Sequence, residues 1–381
     1  MSSLSKWQEI RQRQGKVNAE RWLNLLESDS QPAQLVLQEY DNLLRAIEQM
    51  LEYPETFDLA YHLLDALFTY ANSYADWDRW LIYLQEAHHV SQSLQKKSEE
   101  ASLLEMMAYI HRNQGALKEA QTYLNQALAI YQELTLVSEQ ATTLSNLAVV
   151  LEILGQDGLN SCQTALVMAT ECKDEQALVV VMINLSQIYL RRHEWQACVL
   201  AAQTALDLAC QLKNPILETR ALFNMLTGLG YLGKWDEIND TFPNLADDLV
   251  KRGDTHTLAK LRNNLGGVAF RMKNWQEAEK QWQEALNLQS VLQDPMDQAF
   301  LYNNLGKLYT QTSELETARE MLQRAITLQD QLQDIYHWAN ALDNLAEVYE
   351  AEGNTAVPDK SASKHTHPYK HYPPHPKFKH Y

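Results

Sequence analysis

Residues 295–334 read PMDQAFLYNNLGKLYTQTSELETAREMLQRAITLQDQLQD. Within the stretch, Asn304-Leu305-Gly306 is followed by Tyr309, a polar turn, and then Ala318 and Ala325. The first group shares one helical face, and the two alanines share a face of a second helix. Small side chains there let two helices approach closely, and large residues fill the gaps beside them. Asp294 and Asp334 stand just before helix starts, where Asp is a strong N-cap. Pro295 then occupies a first helical position, where no amide hydrogen is missed. The stretch therefore reads as helix, turn, helix, capped linker.

The same unit recurs on both sides. Asn followed by an apolar residue stands at Asn146, Asn184, Asn224, Asn264, Asn304 and Asn344, in steps of 38, 40, 40, 40 and 40. Stepping back by 40 reaches Met106-Met107 and Ala66-Leu67 in segments of the same pattern. With the Asn as zero, Trp stands at +11 in four units: Trp77, Trp195, Trp235 and Trp275. A small residue stands at +14 (Ala120, Cys198, Ala278, Ala318) and Ala at +21 (Ala87, Ala127, Ala205, Ala285, Ala325). Asp174, Asn214, Asp254, Asp294 and Asp334 close the units near +30. A period this regular is the mark of a helical-hairpin solenoid.

Two units depart from the pattern. The unit around Asn146 lacks two residues, and Gly158 falls where its second helix should begin. The unit around Asn224 has Leu226, Ile238 and Leu245 in place of small residues, with Gly228, Gly230, Gly233 and Pro243. Repeat decay and a hinge both fit that composition. Residues 1–57 lie outside the period. There Trp7, Ile10, Trp22, Leu23 and Leu26 suggest one helix, or two broken at Gly15, and Leu35 to Leu51 a further amphipathic helix after Pro32. They are expected to cap the solenoid's apolar end. Residues 354–381 hold five Lys, five His and five Pro, a composition expected of a disordered tail. The expected organisation is an N-terminal helical cap (1–57), a solenoid of about seven and a half repeats (58–353), and that tail (354–381).

The motif set, Asn304-Leu305-Gly306 with Tyr309, Ala318 and Ala325, resembles the tetratricopeptide repeat family. The 40-residue period resembles the longer variant seen in kinesin light chains and in bacterial signalling arrays. The resemblance implies an all-α, right-handed superhelical solenoid of helix-turn-helix repeats. It further implies that the first helix of each unit, helix A, lines a concave groove that binds peptides.

Composition narrows the function classes. Lys and Arg total 32 against 49 Asp and Glu, a formal charge of -17, which disfavours nonspecific nucleic-acid binding. The longest apolar run, Ala177 to Ile183, is far short of the about 20 residues of a membrane span, so no membrane partner is expected. The N-terminus is polar and lacks an apolar signal core, and the four Cys show no CxxC. A reduced, cytoplasmic protein is the expectation, with Cys162, Cys172, Cys198 and Cys210 filling the core. No nucleophile elbow, HExxH or Gly-rich phosphate loop is present, so no enzyme, metal or cofactor is expected. His88, His89, His111 and His193 read as surface residues, and the Trp set as packing.

The Asn ladder is the candidate site. Asn inside a helix is less favourable than Ala by roughly 0.6 kcal/mol, yet six units keep it. An amide offers a donor and an acceptor, matching a peptide backbone. In the resembling proteins Asn at this place holds a ligand's backbone; a structural bond between helices is the alternative. The candidate peptide-binding residues are Asn184, Asn224, Asn264 and Asn304, the cations Arg191, Arg220, Lys260, Arg271 and Lys307, and the aromatics Phe223, Tyr231, Phe270 and Phe300. They share the face at -4, -1, +3, +6 and +7. Flanking units place Glu105, Glu152, Asp343, Glu347 and Glu350 on it, which would repel an acidic ligand and fix its position. The expected function is a non-enzymatic scaffold binding a protein or an extended acidic peptide. The alternatives are a regulator that senses a signalling peptide, or the sensor arm of a signalling ATPase, whose GxxxxGK[ST] loop this sequence lacks. Residues 1–57 are not expected to match the output domain of peptide-sensing receptors of this fold.

Overall fold

A computed structural model describes residues 3–28, 32–68, 77–251, 255–292, 295–332 and 334–353. The expected tail, 354–381, lies outside the described residues, as do Asp254 and Asp294. Seventeen α-helices, one 3-10 turn and no strand occur among them. The chain forms two compact units, Met1–Val268 and Ala269–Tyr381.

The first unit opens with α1 (Ser3–Ser28), α2 (Pro32–Leu51), α3 (Phe57–Phe68) and α4 (Trp77–Ser93). Helix A and helix B then alternate: α5 (Lys97–Asn113) and α6 (Leu117–Glu133), α7 (Val137–Ile153) and α8 (Gly158–Cys172), α9 (Glu175–Arg191) and α10 (Trp195–Gln211), α11 (Pro215–Tyr231) and α12 (Trp235–Lys251). Next comes α13 (Thr255–Arg271), in which the unit ends. The second unit continues with α14 (Trp275–Leu292), α15 (Pro295–Gln311), α16 (Leu315–Gln331) and α17 (Ile335–Ala351). In the first unit each helix from α1 to α12 packs on the next, as do α14 to α17 in the second, and α7 and α9, like α9 and α11, also pack A against A. The architecture is an all-α repeat solenoid.

Local chemistry sets the helix lengths. From α4 onward nearly every helix is 17 residues long. A residue with positive φ follows: Gln95, Gly115, Thr135, Gly155, Lys173, His193, Lys213, Gly233, Lys273, Ser313 and Gly353. One left-handed residue per turn ends the helix and reverses the chain. Asp174, Asn214 and Asp334 then cap the next helix, accepting from Ala177 N, from Ile216 N and Leu217 N, and from His337 N. The two residues missing from the Asn146 unit come out of α8, which has 15. Gly158 begins that helix because a Cβ there would lie 2.1 Å from the Ala148 carbonyl oxygen.

The expected small residues do close the helix pairs. Ala120, Cys198, Ala278 and Ala318 are fully buried, as are Ala87, Ala127, Ala205, Ala285 and Ala325. The glycines of the Asn224 unit serve the same purpose. A Cβ on Gly228 would meet Val199 at 2.8 Å, and one on Gly230 would meet Val268 at 2.1 Å. α11 is unbroken through both, and α12 runs on through Pro243. Gly15 does not break α1 either; a Cβ there would meet the Met50 methyl at 2.2 Å. α1 and α2 share one core with the helices from α3 to α6, built around Leu43, Ile47, Met50, Phe57, Leu63 and Trp80. Two of the four cysteines depart from expectation. Cys162 and Cys198 are buried, with thiols pushed up to about 12 by desolvation, whereas Cys172 and Cys210 are exposed. His88 and His111 are half-buried rather than fully on the surface.

The turn conformation gives a stability test. Gly155→Ala at φ +74 should lower stability by roughly 1–2 kcal/mol. Lys213→Gly at φ +54 should leave stability unchanged or raise it by up to about 1 kcal/mol. Urea midpoints of the two variants check both signs.

Candidate functional site

The Asn side chains of the A helices first answer a structural need. Neighbouring A helices are about one repeat apart in sequence, and Asn146, Asn184, Asn224 and Asn344 each reach back to the previous one. Asn184 Nδ2 donates to Ser145 Oγ at 2.8 Å and to Asn146 Oδ1 at 2.9 Å. Asn224 Nδ2 donates to Ser186 Oγ at 2.8 Å and to the Ile183 carbonyl at 3.2 Å. Asn146 Nδ2 donates to Glu105 Oε1 at 3.3 Å. In the second unit Asn344 Nδ2 donates to Asn303 Oδ1 at 2.8 Å, and Asn303 to Asn340 at 3.4 Å. The ladder is a spine of bonds between repeats. Asn184 is wholly buried and cannot touch a ligand in this structure, which corrects its reading as a contact residue. Its amide hydrogens are already committed to the preceding helix. Asn224 and Asn304 are half-buried, and Asn264 is exposed.

Glu105 terminates the spine. Its carboxyl accepts from Thr143 Oγ1 at 2.9 Å, Asn146 Nδ2 at 3.3 Å and Tyr131 OH at 3.3 Å. Desolvation raises its pKa to about 7, against the three hydrogen bonds that favour the charge; Glu139 nearby pushes the same way as desolvation. Burial also raises the Tyr131 and Tyr61 hydroxyls beside it, and the Asp65 carboxyl on α3. Glu152 is committed as well. Arg192 grips it with Nε at 2.8 Å and Nη2 at 2.9 Å, and also reaches Asp157 at 3.1 Å. In this unit the two acidic flank residues are therefore internally satisfied, so the expected repulsion does not come from them. Asp343, Glu347 and Glu350 are exposed in the second unit.

The cations are placed differently. Arg191 and Arg220 are exposed and Lys260 is half-buried, and no carboxylate among the described residues pairs with them. Arg220 is open to water, yet desolvation lowers its pKa. Tyr109 on α5 favours its charge and Arg112 on α5 opposes it. Arg112 is at +6 and Tyr109 at +3 of the unit whose zero position is Met106. Sequence reasoning missed both because that unit has no Asn to mark it; the 40-residue register alone would have found them.

Of the aromatic candidates, Tyr231 stacks on Trp195 at 4.1 Å between centroids. Phe270 lies against Trp275 at 5.3 Å and Trp282 at 5.5 Å, and Phe300 against His337 at 4.5 Å. Their rings are packing surfaces, whereas Phe223 is half-buried with no ring against it among the described residues. Phe270, Arg271, Phe300, Asn304 and Lys307 belong to the second unit, where Arg271 and Lys307 are exposed. No group of three or more His, Cys, Asp or Glu suited to a metal occurs among the described residues.

Family models for the tetratricopeptide repeat match residues 101–135 and 257–331. The chain carries tetratricopeptide repeats. Such repeats make it a protein-binding scaffold, and no helix among the described residues is long and apolar enough to cross a membrane. No curated protein matches the sequence. Among solved structures, the chain is similar to a Rap protein complexed with Competence and Sporulation Factor, at 15% identity and TM-score 0.55. That likeness covers 85% of this chain and 99% of the other. It is also similar to aspartyl phosphate phosphatase F from Bacillus subtilis, at 15% identity and TM-score 0.52, over 86% of this chain and 95% of the other. The apo form of RapI gives 14% identity and TM-score 0.51 over 72% and 99%. At these identities the likeness is one of fold.

The Glu105 cluster carries a pH signature. Between about pH 4.5 and 7 the folded chain keeps a proton that the unfolded chain has released. Stability from this group is therefore greatest at the acidic end and falls as pH rises through the window. Glu105→Gln keeps an oxygen for Thr143 and Asn146 and removes the titration. Its stability should drop less than the wild type's between pH 5 and pH 8, by roughly 1–3 kcal/mol in urea unfolding.

Proposed function

We propose that this scaffold is non-enzymatic and that the A-helix face of its first unit binds an extended acidic peptide. The observation that supports it is an imbalance of pairing. Glu105 and Glu152 are held by Thr143, Asn146, Tyr131 and Arg192. Arg191, Arg220 and Lys260 have no carboxylate partner among the described residues. A chain with a formal charge of -17 that leaves its cations free on one face is complementary there to negative charge.

Arg220 and Lys260 supply charge-assisted bonds to ligand carboxylates, and Phe223 offers an apolar surface. Exposed Asn264 holds ligand backbone, while Asn184 and Asn224 fix the helices that present the face. In the second unit exposed Lys307, with Arg271, Phe270, Phe300 and Asn304, makes up the remainder of the proposed face. A second reading, a regulator that senses a ligand and switches an output partner, draws support from the likeness to a Rap protein solved with Competence and Sporulation Factor bound.

The test is a binding screen of acidic against basic peptides with the full chain, by calorimetry. Acidic peptides should bind, more weakly as salt rises. Arg220→Glu with Lys260→Glu should nearly abolish binding, and Asn264→Ala should cost roughly 1–2 kcal/mol. Preference for basic peptides, or full binding by the double variant, overturns the reading.

A further inference from the structure

We propose that the cleft between α1 and α2 binds a phosphoryl dianion, free or as a small monoester, between Arg21 and Arg45. The site lies in the N-terminal helices, outside the repeats, and does not depend on the peptide face.

Placement carries the inference first. Gly15 on α1 lies against Met50 on α2, where a Cβ would meet the Met50 methyl at 2.2 Å. The chain turns back between Ser28 and Pro32, so the two helices run antiparallel. Arg21 is six residues on from Gly15, and Arg45 is five residues back from Met50. The two arginines therefore stand at the same level to within one residue, about 1.5 Å of helix. Ala19 is fully buried and Ala46 nearly so, which keeps the helices close at that level. Each arginine also brings an amide, because Asn18-Ala19-Glu20-Arg21 and Asn42-Leu43-Leu44-Arg45 share one spacing. Residues three apart are neighbours on a helix. Asn18, Arg21, Trp22, Asn42, Arg45 and Gln49 line one cleft of about 230 Å³.

The second observation is charge. Both guanidiniums are exposed, and neither pairs with a carboxylate among the described residues. Three and four places from Arg21 on α1 stand Val17, Asn18, Asn24 and Leu25, none of them acidic. Arg45 has Asp41 and Glu48 at those places on α2. Arg79 takes Asp41 at 2.8 Å, and Glu48 is exposed with no ion pair among the described residues. Glu39 accepts from Asn42 Nδ2 at 2.7 Å, which uses one amide hydrogen and leaves the other. An arginine cannot relieve repulsion by losing its proton. One dianion between the two replaces their repulsion with two attractions. The Arg21 guanidinium also lies 5.8 Å from the centre of the Trp22 ring, and Trp22 packs on the core of α1 to α6. Part of its ordering thus precedes binding.

The third is chemistry. Two planar forks and three carboxamides line the cleft as donors. A carboxylate has two oxygens, which two forks already fill. A phosphoryl group has three and carries nearly two charges at neutral pH, so it matches both the donor set and the pair of arginines. At about 30 Å³ for each water of the liquid, the cleft has room for roughly eight. That fits a phosphate with a few further heavy atoms.

Full chains are titrated by calorimetry with inorganic phosphate, glycerol 3-phosphate, glycerol and succinate. The variants are Arg21→Gln, Arg45→Gln and Arg13→Gln, the last an exposed arginine of α1 that does not line the cleft. Thermal melts check folding, and Arg21→Lys, which keeps the charge but loses the fork, is a second variant at that place. The wild type should bind one phosphate or glycerol 3-phosphate per chain and no glycerol. Arg21→Gln and Arg45→Gln should each weaken binding by roughly tenfold, Arg21→Lys by less, and Arg13→Gln should match the wild type. Arg220→Glu with Lys260→Glu should leave this binding unchanged, which separates it from the peptide face. Tighter binding of glycerol 3-phosphate identifies a monoester as the occupant and tighter binding of phosphate the free ion; both support the site. Succinate bound as tightly, with the same dependence on the arginines, would make it a dicarboxylate site. A loss in Arg13→Gln as large as in Arg21→Gln would make the effect one of diffuse charge. Either result, or no saturable binding of phosphate and glycerol 3-phosphate, overturns the proposal.

Discussion

The Asn amides of α7, α9 and α11, each donated to the A helix before it, are the bonds on which the rest of the first unit depends. Asn184 to Ser145 and Asn146, and Asn224 to Ser186 and Ile183, tie successive A helices in fixed register. Small residues on the B helices set how closely each pair packs, and Gly228 and Gly230 tighten it further. Register and spacing together decide which side chains of successive A helices meet.

Charge is then sorted by that geometry. The chain is strongly acidic, but Glu105 and Glu152, the acids on the inner face of the first unit, are absorbed. Glu105 becomes the terminus of the Asn spine, where burial raises its pKa to about 7. Glu152 is taken by Arg192 in a two-point contact. The arginines and lysine left over are what the face presents. A buried carboxyl that is partly protonated near neutrality also makes the spine sensitive to pH, since its hydrogen bonds change strength with its charge.

Much of the fold was legible in the residues. The recurring unit located the helix pairs from α3 onward, the caps at Asp174, Asn214 and Asp334 act as expected, and the alanines at +14 and +21 are buried. The glycines were harder to read. Gly228, Gly230 and Gly15 carry the same letter as Gly115 and Gly155, but the first three answer to a neighbouring helix and the last two to a positive φ. Composition cannot separate those causes, because one lies in the local backbone and the other in a residue tens of positions away. For the same reason Tyr231, Phe270 and Phe300 looked like free aromatic faces, although tryptophans and a histidine cover them.

The sequence by itself determined the repeat, the helix boundaries and the set of residues on the A-helix face, because these follow from local periodicity and capping. Tertiary structure alone decided which members of that face are spent on one another. Asn184 closes inward, Asn264 stays open and Glu152 is paired with Arg192. Pairing depends on distances across repeats, and those distances come from how the helices pack rather than from any one segment of chain.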